Sequence, residues 1–171
     1  PDVATASRNG GITQPSPLNF TGKVLLVEYH HTQTGTVIVA GVGLAIFGIM
    51  IEILVLGILH PVIIAVGILL LVMLYLFSSL TVEVRSETVF VRFGPGIIHR
   101  EIRLPEIAEA HAVTNTWMAG WGIRWLPGHY VMWNVSGLRA VELTLTDGKR
   151  FRIGTDEPEA LVNAIEIGRR R

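Results

Sequence analysis

The sequence predicts a membrane α-hairpin of two transmembrane helices, followed by a small α+β domain of antiparallel strands closed by a C-terminal helix. Three observations carry this. Between Glu28 and Glu83 lie 54 residues with a single charge, Glu52, whereas 27 of the other 117 residues are charged. The apolar period then changes from helical to strict alternation at Leu80. An amphipathic stretch with acidic residues at its start and arginines at its end finishes the chain. The whole is 50% hydrophobic and 16% charged, with a mean hydropathy of +0.49. A soluble domain is usually about 25% charged, so neither a single water-soluble globule nor a disordered chain fits.

Residues 1–33 read as a polar, extended N-terminal tail, with Gly10, Gly11, Pro15 and Pro17 among polar residues. Its few apolar anchors, Ile12, Leu18 and Phe20, suit a tail that lies across a larger partner. Lys23 to Tyr29 reads as a short strand or a segment approaching the membrane. Pro1 opens a polar stretch that lacks the basic start and apolar run of a signal peptide. A removed initiator Met and a clipped precursor both stay open.

Residues 34–80 form the membrane unit, with spans over 36–59 and 61–80. Each is long enough for a hydrocarbon core of about 30 Å at about 1.5 Å per residue. His60-Pro61 is the turn, and proline suits a first helical position because its missing N–H would be unpaired there. The outer turn has no Lys or Arg, while Lys23, Arg85, Arg92 and Arg100 flank the spans. The positive-inside rule therefore places the chain in the inner (cytoplasmic) membrane as a multi-pass protein with both termini cytoplasmic. At about 100° per residue, Gly41, Ala45, Gly48 and Glu52 fall on one narrow face. Small residues allow close helix approach, and an ionisable group inside a span faces protein or water rather than lipid. Three uses compete for this face: packing on the second helix, packing on another membrane protein, and a proton relay. A lone carboxylate makes a weak relay.

Residues 81–171 form the polar domain. Thr81 to Arg85 and Thr88 to Phe93 alternate, and the four residues from Arg85 to Thr88 join them as a hairpin turn. Gly94-Pro95-Gly96 turns the chain again. Further strands are expected over Ile97 to Leu104, Ala108 to Thr114, Tyr130 to Asn134, Arg139 to Leu145 and Arg150 to Ile153. Asp147-Gly148 is a strong hairpin signal between the last two. A helix over 157–169 follows, with Asp156 and Glu159 spaced as a capping box and Arg169 to Arg171 favourable to its dipole.

Seven antiparallel strands and then one helix give the order of a pleckstrin-homology-like barrel. The segments "VFVRFGPG", "IRLPEIAEA", "GWGIRW" and "NVSGLRAVELTLTDGKRFRIGTDEPEALVNAI" resemble bacterial membrane proteins in which a transmembrane hairpin precedes a pleckstrin-homology-like (PH-like) domain. The resemblance covers about Thr36 to Ile167. It implies a seven-stranded antiparallel barrel capped by the C-terminal helix. Relatives by fold bind phosphoinositide headgroups through basic residues in the first strand-to-strand loop. Here that loop is Arg85-Ser86-Glu87-Thr88, with one basic and one acidic residue, so that binding is not carried over.

The stretch from Trp117 to Trp133 holds all four tryptophans, Trp117, Trp121, Trp125 and Trp133, with Arg124, Met118, Met132 and Tyr130. Such a loop packs over the domain as core, sits in the headgroup layer, or contacts a partner. No catalytic or cofactor site is expected. His99, His111 and His129 are isolated and lack metal-motif spacing. Ser136-Gly137 lacks the preceding glycine of a nucleophile elbow. No glycine-rich loop opens a helix, and with no cysteine there is no disulfide or thiolate chemistry. A net charge of zero gives no bulk pull toward nucleic acid. The expected role is a non-catalytic accessory subunit of a larger membrane complex, of respiratory or photosynthetic kind. Its partners are the lipid bilayer and other membrane subunits, with no small-molecule substrate. The alternative is a free-standing membrane-anchored module that binds lipid or protein.

Overall fold

The computed structural model describes residues 19–20, 23–24, 27–57, 60–126 and 130–170. Two minimal strands, β1 (Asn19–Phe20) and β2 (Lys23–Val24), pair with each other. The strand β3 (Val27–Thr34) runs directly into helix α1 (Thr36–Leu56), and helix α2 (Pro61–Phe77) runs directly into β4 (Ser79–Arg85). The rest of the chain is β5 (Thr88–Phe93), β6 (Ile98–Arg103), β7 (Ile107–Thr114), β8 (Gly122–Leu126), β9 (Tyr130–Asn134), β10 (Arg139–Leu145), β11 (Arg150–Gly154) and α3 (Pro158–Arg169).

The predicted single seven-stranded barrel is not what forms. There are two open sheets, of order β3-β4-β5-β6 and β7-β10-β11-β9-β8. Besides the separate β1–β2 pair, two strands in these sheets are additional to the expected seven. β3 lies in the stretch read as tail, and it pairs with β4 across the intervening helices, Thr34 opposite Ser79. β8 lies in the stretch read as loop and forms the edge beside β9. Nor is the pairing wholly antiparallel. The β9–β10 connection passes over the end of β11, so that β9 and β11 run parallel.

The helices also depart from expectation. α1 has 21 residues, about 31 Å at 1.5 Å per residue, and is long and apolar enough to cross a membrane. It ends at Gly57, whose left-handed φ of 64° is a C-cap, and the Gly57 N–H donates to the Ile53 carbonyl at 2.9 Å. α2 begins at Pro61, with the His60 side chain accepting from the Val62 N–H. It stops after 17 residues, about 26 Å, because Ser79 and Leu80 belong to β4 and Leu80 is core. A hairpin of two full transmembrane helices is thus replaced by one membrane-length helix with a shorter apolar helix packed on it. A multi-pass placement with both termini cytoplasmic loses its basis, because it needs two crossings.

The core lies between the sheets. Leu80, Val82 and Val84 of β4 and Val89, Val91 and Phe93 of β5 meet Val141, Leu143, Phe151, Ile153 and Trp133. α3 adds Leu161, Ala164 and Ile165 and packs against β3, β7 and β10, covering one side of the gap between the sheets. Its expected capping box does not form. Glu159 instead pairs with Arg139 at 2.5 Å, Asp156 with His31 at 2.5 Å, and the Thr155 hydroxyl accepts from the Glu157 N–H.

Candidate functional site

Two surfaces gather the residues singled out in the sequence. The first is a face of α1. Its less exposed residues are Ile38, Val42, Ile46, Ile49 and Ile53, a stripe that suits the contact with α2. Gly41, Ala45, Gly48 and Glu52 lie about a quarter turn away and are all exposed. A Cβ placed on Gly41 or Gly48 would meet nothing within 4 Å. Among the described residues Glu52 makes no ion pair. The face is therefore not spent on α2.

The second surface is the tryptophan-rich stretch, which the fold divides. Trp133 on β9 is only 7% exposed and stacks with Phe93 at 5.1 Å and Phe151 at 5.6 Å. Of the three uses open to the stretch, core, headgroup layer or partner contact, Trp133 takes the first. Trp117 and Met118 sit on a short 3-10 turn, Trp117–Ala119, and point outward, Trp117 at 75% exposure. Ala119 of that turn is buried, and so is Met132, on the face of β9 opposite Trp133. Arg124 lies on that same face of β8, its guanidinium lodged so close under Gly120 that a Cβ there would come within 2.8 Å. Trp121 is half-buried, with its indole N–H enclosed and unpaired among the described residues.

Trp125 is 85% exposed, although it shares a side of the sheet with Trp133 and Val131. The five-stranded sheet is one strand wider than its partner. Edge strand β8 accordingly carries Ile123 and Trp125 on an inward-facing side that stays exposed. β8 was hidden in the sequence because a tryptophan repeat overlies the alternation of Gly122 to Leu126.

Register fixes which loops share an end of the domain. Thr34, Ser79, Phe93, Thr114, Asn134, Arg139 and Gly154 all lie at the end where the chain enters α1 and leaves α2. That join is tight. The Gly35 N–H donates to Ser78 O at 2.7 Å, and a Cβ on Gly35 would lie 2.9 Å from Phe77 O. The Gly94 N–H donates to Ser79 O, and Gly94, with φ of 41°, packs under the Tyr75 and Leu76 carbonyls. The Thr36 and Ser136 hydroxyls are 2.7 Å apart, and the Gln33 amide donates to Ser136 O. The Asn115 N–H donates to Leu138 O at 2.7 Å, which ties the Trp117 turn to the same base.

The polar faces are occupied by structural pairs. Glu83 is 4% exposed, yet it contacts Arg85, Arg92 at 3.2 Å and His30 at 3.5 Å on the outer face of the four-stranded sheet. Arg152 bonds Glu142 at 2.5 Å and Asn115 at 2.8 Å and lies over the Tyr130 ring at 4.1 Å. His99 bonds the Gly96 carbonyl and His111 meets Glu109, while His129 lies outside the described residues, as does the tail over 1–18. Among the described residues no group of three His, Asp or Glu is placed to hold a metal ion. Burial pushes the Tyr29 hydroxyl up to about 12; the Thr155 hydroxyl opposes this, and Glu157 and Asp156 add to it. No family model, no curated protein and no solved structure matches the chain, so nothing in these comparisons identifies a PH-like bacterial membrane protein.

Proposed function

We propose that the chain is a non-catalytic accessory subunit of a membrane complex, held in the bilayer by α1 and joined to a neighbouring subunit through the Gly41, Ala45, Gly48 and Glu52 face. The observation that supports this most is that face itself, open and turned away from α2. None of the residues of α1 is buried within the chain. A 21-residue helix with no polar side chain but Thr36 and Glu52 would be costly to leave in water, so α1 needs lipid or protein around it. Glycine and alanine let a second helix approach, and a partner's donor would remove the cost of an unpaired Glu52 in lipid. Purification from the native membrane in mild detergent tests the reading. The subunit should co-migrate with larger partners, and Gly48→Leu should release it while the sheet domain stays folded. Migration at the mass of one chain would overturn it.

A second reading, a free-standing anchored module that binds lipid or protein, is favoured by the exposure of Trp117 and Trp125. It differs in one outcome. Gly48→Leu would then change nothing, and Trp125→Ala would lower binding of the ligand.

A further inference from the structure

We infer that the helix-bearing end of the sheet domain is itself seated in the headgroup layer of the bilayer, through Ile97, Trp117, Met118 and Leu138. This rests on α1 being in the membrane and adds the depth and tilt of the polar domain. One residue, Gly35, separates β3 from α1, and one, Ser78, separates α2 from β4. With no linker, the domain end stays at the depth where α1 begins.

Three loops lie at that end, 94–97, 115–121 and 135–138, and none contains Asp, Glu, Lys or Arg. Each is tied to the base of the helices: Gly94 under the last turn of α2, Ser136 on Thr36, and Asn115 on Leu138. Each presents an exposed large apolar side chain outward, and Tyr75 is exposed on the last turn of α2 above them. Tryptophan and tyrosine favour this layer because their rings are apolar with one polar edge.

The opposite end is built differently. Its turns and the end of α3 carry Glu87, Arg103, Glu106, Asp147, Lys149, Arg169 and Arg170. The charged exceptions at the helix end are Asp156-Glu157, whose carboxylates lie within reach of His31, and Arg139, which pairs with Glu159. Trp125 sits three residues along β8 from Gly122, about 10 Å deeper into the polar side. An exposed tryptophan is thus expected in the lipid layer at 117 and outside it at 125.

The chain has no cysteine, so single spin labels are direct. Ile97→Cys, Met118→Cys, Trp125→Cys and Lys149→Cys, each in the full chain, are reconstituted in vesicles of phosphatidylcholine and phosphatidylglycerol. Labels at 97 and 118 should collide severalfold more with oxygen, relative to a water-soluble nickel chelate, than labels at 125 and 149. Equal ratios at all four positions would overturn the seating. Shielding of 97 and 118 from both reagents would overturn it in favour of a second copy of the chain on that end. Release of the protein by alkaline carbonate would instead overturn the anchoring by α1 on which the inference rests.

Discussion

At the scale of single residues, small side chains decide where the backbone can pass. Ser86 is the one non-glycine residue with a left-handed φ, 47°, among those described. It sits in the two-residue turn between β4 and β5, where Arg85 pairs with Thr88. A side chain in that region costs about 1–2 kcal/mol and the added freedom of the unfolded glycine chain returns about 0.4–1 kcal/mol, so Ser86→Gly should raise the unfolding free energy by roughly 0.5–1 kcal/mol. Denaturant unfolding of the detergent-solubilised protein checks the sign. Gly154 poses the reverse case. Asn134 at the end of β9 donates to Gly137 O and accepts from the Ser136 N–H, which shapes the crossover to β10. A Cβ on Gly154 would fall on the Asn134 carboxamide. Gly154→Ala should therefore destabilise by about 2 kcal/mol, a typical overpacking cost. Because both changes act on one contact, Gly154→Ala with Asn134→Ala should cost less than the two singles summed.

At the scale of elements, local pattern was readable and long-range pairing was not. The alternation of Thr81 to Phe93 and the Asp147-Gly148 turn are strands and turn as read, because both depend on neighbours within a few residues. On β6, expected as a strand over Ile97 to Leu104, Ile98, Arg100 and Ile102 share one face, and Arg100 lies 4.5 Å over the Phe151 ring. A short strand is one reading of Lys23 to Tyr29, which overlaps the start of β3, but its partner is not legible, since β4 begins 45 residues after β3 ends, beyond two helices. The capping box failed because Arg139, distant in sequence, takes Glu159. The α1 face was legible, since helical spacing alone puts Gly41, Ala45, Gly48 and Glu52 together, but its separation from α2 was not. The join between α2 and the sheet depends on Gly94 in two ways, a positive φ and carbonyls 2.7 and 2.8 Å from where a Cβ would sit. Gly94→Ala should therefore loosen the last turn of α2. Amide exchange at Phe77 to Leu80 should quicken, whereas Gly43→Ala, with open space around it, should leave it unchanged.

At the scale of the whole molecule, the strand that leads into the helices is tied to the last helix of the chain. His31 on β3 bonds Asp156 at 2.5 Å and lies 3.4 Å from Glu157, and Tyr29, two residues earlier, packs against the main core. α3 also bonds the sheet at its other end, where Arg169 donates to Ala108 O at 2.7 Å. Tyr29 gives this closure a pH signature. Burial raises its hydroxyl from an ordinary 10.0 to about 12. Below about pH 10 the proton is held in both folded and unfolded chains, so the group adds no slope. Between pH 10 and 12 the unfolded chain loses the proton first while the folded chain retains it. Stability must fall through that window and level off above it. Tyr29→Phe keeps the ring and removes the titration. The difference in unfolding free energy between wild type and Tyr29→Phe should be flat up to pH 10 and move in favour of the variant from pH 10 to 12. Parallel curves across that window would mean that the Tyr29 hydroxyl is no more enclosed in the folded protein than in the unfolded one. The tie between β3 and α3 would then rest on His31 and its two carboxylates alone.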